Sequence, residues 1–139
     1  MVENRLVLRL RRGQLNSIIC EVQRSYPIEA CGVLFGSTIG EEILVEKVVN
    51  LRNILGSENL FQIDPEEFLA ELMKAESEGL QHLGFFHSHQ LNVKPSEMDL
   101  KYMRLWPEKI WLIASALNSK IAAYRVVDDK LHEVHIIVE

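Results

Sequence analysis

The sequence predicts an α/β (α+β) fold in which helices cover a mainly antiparallel β-sheet. Strand-like apolar stretches recur along the chain, amphipathic helical segments with start and stop signals interrupt them, and the last third reads as three strands joined by tight turns. The chain has 139 residues, 47% hydrophobic and 25% charged. That composition predicts one folded domain over residues 1–139, because single cores commonly organise about 100 to 150 residues.

Residues 4–10 alternate, with Asn4, Leu6, Leu8 and Leu10 on one side and Arg5, Val7 and Arg9 on the other, as a half-exposed strand does. Gly13 then permits a turn. Leu15, Ile18, Ile19 and Val22 form one apolar stripe of a helix that must stop near Tyr26-Pro27, because a residue before proline avoids helical angles. The apolar run 30–35, ending at Gly36, and the β-branched run 43–49 read as strands, with 37–40 as the turn between them.

The second helix is the best marked. Asp64 caps, Pro65 takes the first helical position, Glu66 and Glu67 complement the dipole and Gly79 stops the helix. Its expected buried pairs are Phe68 with Leu72 and Leu69 with Met73, and its glutamates form the wet face. A strand over 83–89, a helix over 96–106 closed by Pro107, and strands over 110–116, 120–127 and 131–138 complete the order, with Asn-Ser and Asp-Asp as hairpin turns.

Several classes fall away. Fifteen basic against twenty acidic residues leave a net charge of -5, which offers a nucleic acid no basic field. The mostly apolar stretch Ile110 to Leu117, broken only by Ser115, is far short of the roughly 20 residues that cross a bilayer. The opening MVENRLVLRLRRG has no continuous apolar signal region, so a cytoplasmic address is expected. Cys20 and Cys31 are too few for a disulfide framework and are not spaced C-x-x-C, so reduced thiols are expected.

The chemistry concentrates in three places. His87 and His89 are two apart at the end of a predicted strand, so both side chains leave one face with Cα atoms about 6.6 Å apart, near enough to share a zinc ion at bonds of about 2.0 to 2.1 Å. Taken alone, H-x-H is most simply two polar residues at a strand end. Ser96 can cap the third helix, with Asp99 on the same face one turn on; alone, Ser-x-x-Asp is most simply a capping box. Together the two patterns provide three protein ligands and leave a tetrahedral position for water, as in catalytic zinc sites. Such a site also needs a proton acceptor, and Glu29, just ahead of an apolar strand, is the candidate.

P-x-E-x-C-G-x-L-x-G at 27–36, H-S-H at 87–89 and P-S-x-x-D at 95–99 together resemble the JAMM or MPN-plus (JAB domain) zinc metalloproteases. These include deubiquitinating isopeptidases and prokaryotic enzymes acting on ubiquitin-like sulfur-carrier proteins. The resemblance covers residues 27–106, and Glu-Asn-Leu-Phe-Gln-Ile-Asp-Pro from Glu58 looks like the prokaryotic branch. It implies a cytidine-deaminase-like fold of the MPN type and one zinc per chain held by His87, His89 and Asp99. It makes Glu29 the general acid and base, and Ser96 the hydroxyl that helps hold the tetrahedral intermediate. The implied substrate is the C-terminal tail of a ubiquitin-like or sulfur-carrier protein; a homodimer is left open. Two departures lie in the loop between the ligands. Gln90 replaces the usual proline, and nine residues rather than ten precede Asp99, a deletion expected to be absorbed within 90–94.

Other readings stay in view. A metal-free MPN-type scaffold would bind a partner without cutting it, and a zinc peptidase could act instead on a short peptide or a small adduct. A cysteine hydrolase built on Cys31 is disfavoured, because a thiol in an apolar strand is commonly inert. H-E-x-x-H zincins and H-x-E deaminases lack their motifs here. His132 and His135 face opposite sides of one strand, and His82 has no partner pattern.

Overall fold

The structure is a computed structural model that describes residues 5–139. The elements are β1 (Val7–Leu10), α1 (Arg12–Ser25), β2 (Cys31–Ile39), β3 (Glu42–Leu51), α2 (Pro65–Ser77), β4 (Gln81–His89), α3 (Glu97–Leu105), β5 (Ile110–Ser115), β6 (Ile121–Val127) and β7 (Lys130–Val138). The strands close in the order β1-β3-β2-β4-β5-β6-β7. Four pairings are antiparallel, and three, β1 with β3, β1 with β7 and β4 with β5, are parallel. The mixed helix and strand fold is the one the sequence predicts, and its sheet closes on itself because β1 bridges both edges.

Alternation along the strands feeds two apolar clusters, one on each side of the sheet. Leu8, Leu10, Leu34, Phe86, Leu112 and Ala123 pack with Ile18 and Val22 of α1. Val33, Phe35, Phe85, Trp111 and Ile113 pack on the other side with Ala75 of α2 and Met103 of α3. The predicted stripe of α1 is therefore its buried face, with Leu15 and Ile19 half-buried beside Ile18 and Val22. Gly84 lets β4 lie close to β5: a Cβ there would stand 1.9 Å from the Ile110 carbonyl oxygen.

Three expectations are corrected. Gly13 makes no turn; it lies in the first turn of α1, which starts directly after β1 because Leu10 and Arg12 are both tied to Glu139 at the end of the β7 pairing, through Glu139 N–H to Leu10 O at 2.9 Å and Arg12 N–H to Glu139 O at 2.7 Å. Residues 37–39 continue β2, and the hairpin turns at Gly40-Glu41, where Gly40 takes φ +60 at the first central position, a conformation glycine adopts without strain. On α2 only Phe68 and Leu72 of the paired residues pack on the sheet. Leu69 and Met73 are exposed, because the buried line runs 68, 72, 75 and leaves 69 and 73 about 100° round the helix. The first predicted strand begins at Val7, and Asn4 lies outside the described residues.

The marked boundaries hold. Asp64 accepts from Glu66 N–H at the start of α2, and Gly79 follows its end with φ +77. The Asp128-Asp129 turn has positive φ at both central residues, the requirement of a tight hairpin.

Candidate metal centre

The β4 alternation that puts Phe85 in the second apolar cluster carries His87 and His89 onto the same side. β2 pairs antiparallel with β4, with Cys31 opposite His87, so the residues just before β2 run past the end of β4. Ser88 fixes that approach: its N–H donates to Ala30 O at 3.0 Å, and its Oγ accepts from Ala30 N–H at 2.8 Å. Glu29 is thereby drawn inside, only 4% exposed.

Asp99 arrives from α3. Ser96 caps that helix: its Oγ accepts from Asp99 N–H at 3.0 Å, and Asp99 Oδ2 accepts from Ser96 N–H at 3.0 Å. The capping box and the candidate ligand set are therefore one arrangement, because the box orients the carboxylate. Asp99 Oδ2 lies 3.0 Å from His89 Nε2, and its Oδ1 lies 3.1 Å from His87 Nε2. The shortened loop is organised before α3: His89 Nδ1 bonds Asn92 O at 3.1 Å, Lys94 N–H donates to Asn92 Oδ1 at 3.1 Å, and Tyr124 O–H donates to Val93 O at 2.9 Å.

The donor set fits a divalent metal ion. One ligand atom from each of Glu29, His87, His89 and Asp99 lies within 4.8 Å of all the others. A tetrahedral ion with bonds of about 2.0 to 2.2 Å holds its donors about 3.3 to 3.6 Å apart, close to the 3.0 and 3.1 Å between the Asp99 oxygens and the two imidazoles. His87 is fully buried, yet neither of its ring nitrogens has an aligned hydrogen-bond partner, despite the 3.1 Å approach of Asp99 to Nε2. A buried orphan imidazole is costly unless something else satisfies it. The bond from His89 Nδ1 to a carbonyl is the usual way of fixing the tautomer that leaves Nε2 free to ligate.

The site's electrostatics separate the groups. Burial lowers His87, favouring the neutral imidazole that metals bind. Burial also pulls His89 down, but its bond to Asp99 and the charges of Asp99 and Glu29 outweigh that and raise it. Burial pushes Asp99 up, yet the close approach of both imidazoles and the hydrogen bond from the Ser96 backbone hold it well below the usual carboxylate range. Burial raises Glu29 to about 8, with the charge of His89 opposing and that of Asp99 adding. Of two carboxylates in one cluster, one is held ionised and the other is poised to carry a proton near neutrality.

Glu29, Glu58, His89, Gln90, Lys94 and Ser96 line a cleft of about 980 Å³ beside the cluster. The candidates set aside stand apart. Cys31 is buried, its thiol pushed up to about 12 by burial and by Glu29. His82 packs among Phe35, Phe68, Phe85 and Trp106. Sequence reasoning missed two neighbours of the site. Phe61 stacks on His87 with ring centroids 4.7 Å apart, and Asn53 Nδ2 donates to Glu29 O at 3.0 Å. Phe61 lies within the stretch resembling the prokaryotic branch, which was a usable signal; Asn53 carries no periodic or motif signal.

Residues 12–127 match the family described as prokaryotic homologs of the JAB domain. The chain belongs to that family. It is a hydrolase of the JAMM type, and its relatives agree. It is 42% identical over 122 residues to a desampylase from Pyrococcus furiosus, covering 87% of this chain and 84% of that one. It is 26% identical over 131 residues to a CysO-cysteine peptidase from Mycobacterium tuberculosis, covering 91% and 88%. A solution structure of a protein from Desulfitobacterium hafniense superposes with a TM-score of 0.82 at 30% identity, covering 96% of this chain and 93% of that one. No helix among the described residues is long and apolar enough to cross a membrane.

Proposed function

We propose that residues 1–139 form one JAB-type metalloprotease domain, a zinc-dependent cytoplasmic isopeptidase or peptidase. Its substrate on this reading is the C-terminal tail of a ubiquitin-like or sulfur-carrier protein. The observation that carries the chemistry is the convergence of His87, His89, Asp99 and Glu29, with one orphan imidazole, beside an open cleft. What supports the substrate class is the pair of relatives named desampylase and CysO-cysteine peptidase. The second name also favours a small adduct on a carrier tail as an alternative leaving group.

His87, His89 and Asp99 would hold the zinc, all from one chain. Bound there, zinc would supply Lewis acidity, lowering the pKa of water toward about 7 and polarising a carbonyl. Glu29, buried beside the three candidate ligands, takes the proton of the attacking water and returns it to the departing amine. That second transfer matters because an unprotonated amine is a poor leaving group. Ser96 Oγ already accepts from Asp99 N–H, so its own proton is free to be donated to the oxyanion developing on the scissile carbonyl.

A fusion of a ubiquitin-like protein to a peptide through its C-terminal tail tests the reading. Zinc-loaded protein is expected to release the carrier with an intact tail, and a chelator to stop it. A carrier carrying only a C-terminal cysteine distinguishes the small-adduct alternative.

A further inference from the structure

Between β3 and α2 the chain makes a long excursion, residues 52–64, with no regular element beyond one isolated bridge between Asn53 and Ile63. One side chain organises it. Asn53 Nδ2 donates to Leu60 O at 2.9 Å and to Glu29 O at 3.0 Å, with Ser57 O at a longer 3.5 Å. Asn53 Oδ1 accepts from Leu55 N–H and Gln62 N–H, each at 3.1 Å. Both peptide neighbours of Phe61 are thus tied to a single amide, and the ring between them is the one stacked on His87. Glu29 is clamped from the same excursion at both ends of its backbone, since its N–H donates to Ser57 O at 2.9 Å.

We infer that Asn53 is a positioning residue for the hydrolytic site, joining the backbone of Glu29 to the loop that presses Phe61 against His87. The inference rests on the proposed role of Glu29 as the proton carrier. A primary amide suits the place because it offers two donors and an acceptor in one plane, and the three carbonyls and two N–H groups around it use both kinds. Aspartate has no donor to offer the carbonyls of Glu29 and Leu60. Alanine has neither donor nor acceptor. The consequence is chemical as well as structural: a carboxylate that must meet a water's proton at hydrogen-bond distance loses rate steeply when misplaced, on the order of 10²-fold for about 1 Å.

The test is a double-mutant cycle on the tail-fusion substrate, backed by NMR of the metal-free protein. Asn53→Ala is expected to lower kcat about 10- to 100-fold with KM changed less than about threefold. In the Glu29→Gln background it is expected to cost nothing further, because a residue that acts through Glu29 has nothing left to position. In the metal-free protein, Asn53→Ala should reduce the ring-current shift that Phe61 imposes on the His87 ring protons. It should also speed exchange of the Leu55, Gln62 and Glu29 amides while the barrel strands stay protected.

If Asn53→Ala does not fold, Asn53→Asp keeps the acceptor for Leu55 and Gln62, and the same kcat loss and loss of Glu29 amide protection are expected. An unchanged kcat in a folded variant, full multiplicative losses in the cycle, or unaltered His87 and Glu29 signals would each overturn the inference. If Glu29→Gln alone were fully active, the proposed role of Glu29 would fail instead, and the metal-free signals would still decide whether Asn53 organises the site.

Discussion

Glu29 Oε1 lies 3.8 Å from His87 Nε2, and both side chains are almost wholly removed from solvent. A carboxyl so placed resists ionisation, and its value of about 8 stands well above the ordinary carboxylate range. In the metal-free protein the folded state therefore keeps a proton that the unfolded chain releases. Stability falls as pH rises from about 4.5 toward 8 and levels off above that. Glu29→Gln should remove this slope and leave the metal-free protein more stable than native at pH 8, while reducing kcat of the loaded enzyme about 10²- to 10⁴-fold. Thermal unfolding against pH, with steady-state turnover of the same variant, checks both; native turnover would remove Glu29 from the mechanism.

Ser96 caps α3, and different substitutions separate that from the proposed donation to the oxyanion. Its oxygen caps α3 and its hydrogen is free to donate. Ser96→Ala loses both, so the expected result is a stability loss of about 1 kcal/mol and a kcat loss of about 10²- to 10³-fold. Ser96→Asp keeps a capping acceptor without an available donor. It should restore most of the stability and none of the rate, and recovery of both together would show that the hydroxyl only caps.

Cys31 tests the competing nucleophile. Its thiol is buried and pushed up to about 12, and its Sγ points to Leu51 O at 3.6 Å. Thiol labelling of the native protein should modify the exposed Cys20 alone, and Cys31→Ala should retain native kcat. A loss of more than about tenfold in a stable Cys31→Ala protein would revive cysteine chemistry.

His82 is held at about 4 by burial and by the charge of Lys109. Its folded value is below the unfolded one of about 6.5, so the stability it contributes is present above 6.5 and lost as pH falls toward 4. His82→Phe keeps a ring among the same aromatic neighbours and cannot titrate. Between pH 7 and 4 its melting temperature should fall less than that of the native protein; parallel curves would contradict the burial argument.

Much of this was legible because it is written locally. Asp64, Pro65 and Gly79 bound α2 through backbone requirements that hold in any fold, and the two-residue period of β4 puts His87 and His89 on one face. Spacing and family resemblance together mark the candidate ligand set, since neither H-x-H nor Ser-x-x-Asp decides alone. Tertiary choices were less visible. Leu69 and Met73 are as apolar as Phe68 and Leu72, and only the direction in which α2 docks separates them. Ser37 to Ile39 resembles a turn in composition, yet β3 offers these residues partners, so the strand runs on to Gly40. Closure through β1 depends on pairings between residues far apart in the chain, Leu8 with both Ile43 and Ile136, which no local pattern encodes. Asn53 was hidden for the same reason: its importance lies in carbonyls and amides spread from Glu29 to Gln62.

The central claim is that His87, His89 and Asp99 hold a zinc ion, and metal content measures it most directly. Purified protein dialysed against limiting zinc should retain about one zinc per chain by elemental analysis, and Asp99→Asn less than about a tenth of that, because the carboxylate that faces both imidazoles is lost. Zinc should also leave the native protein on acidification, as protons compete for the imidazole of His89. Native protein that binds no zinc at neutral pH, or an Asp99→Asn variant that holds it as tightly as native, would contradict the account.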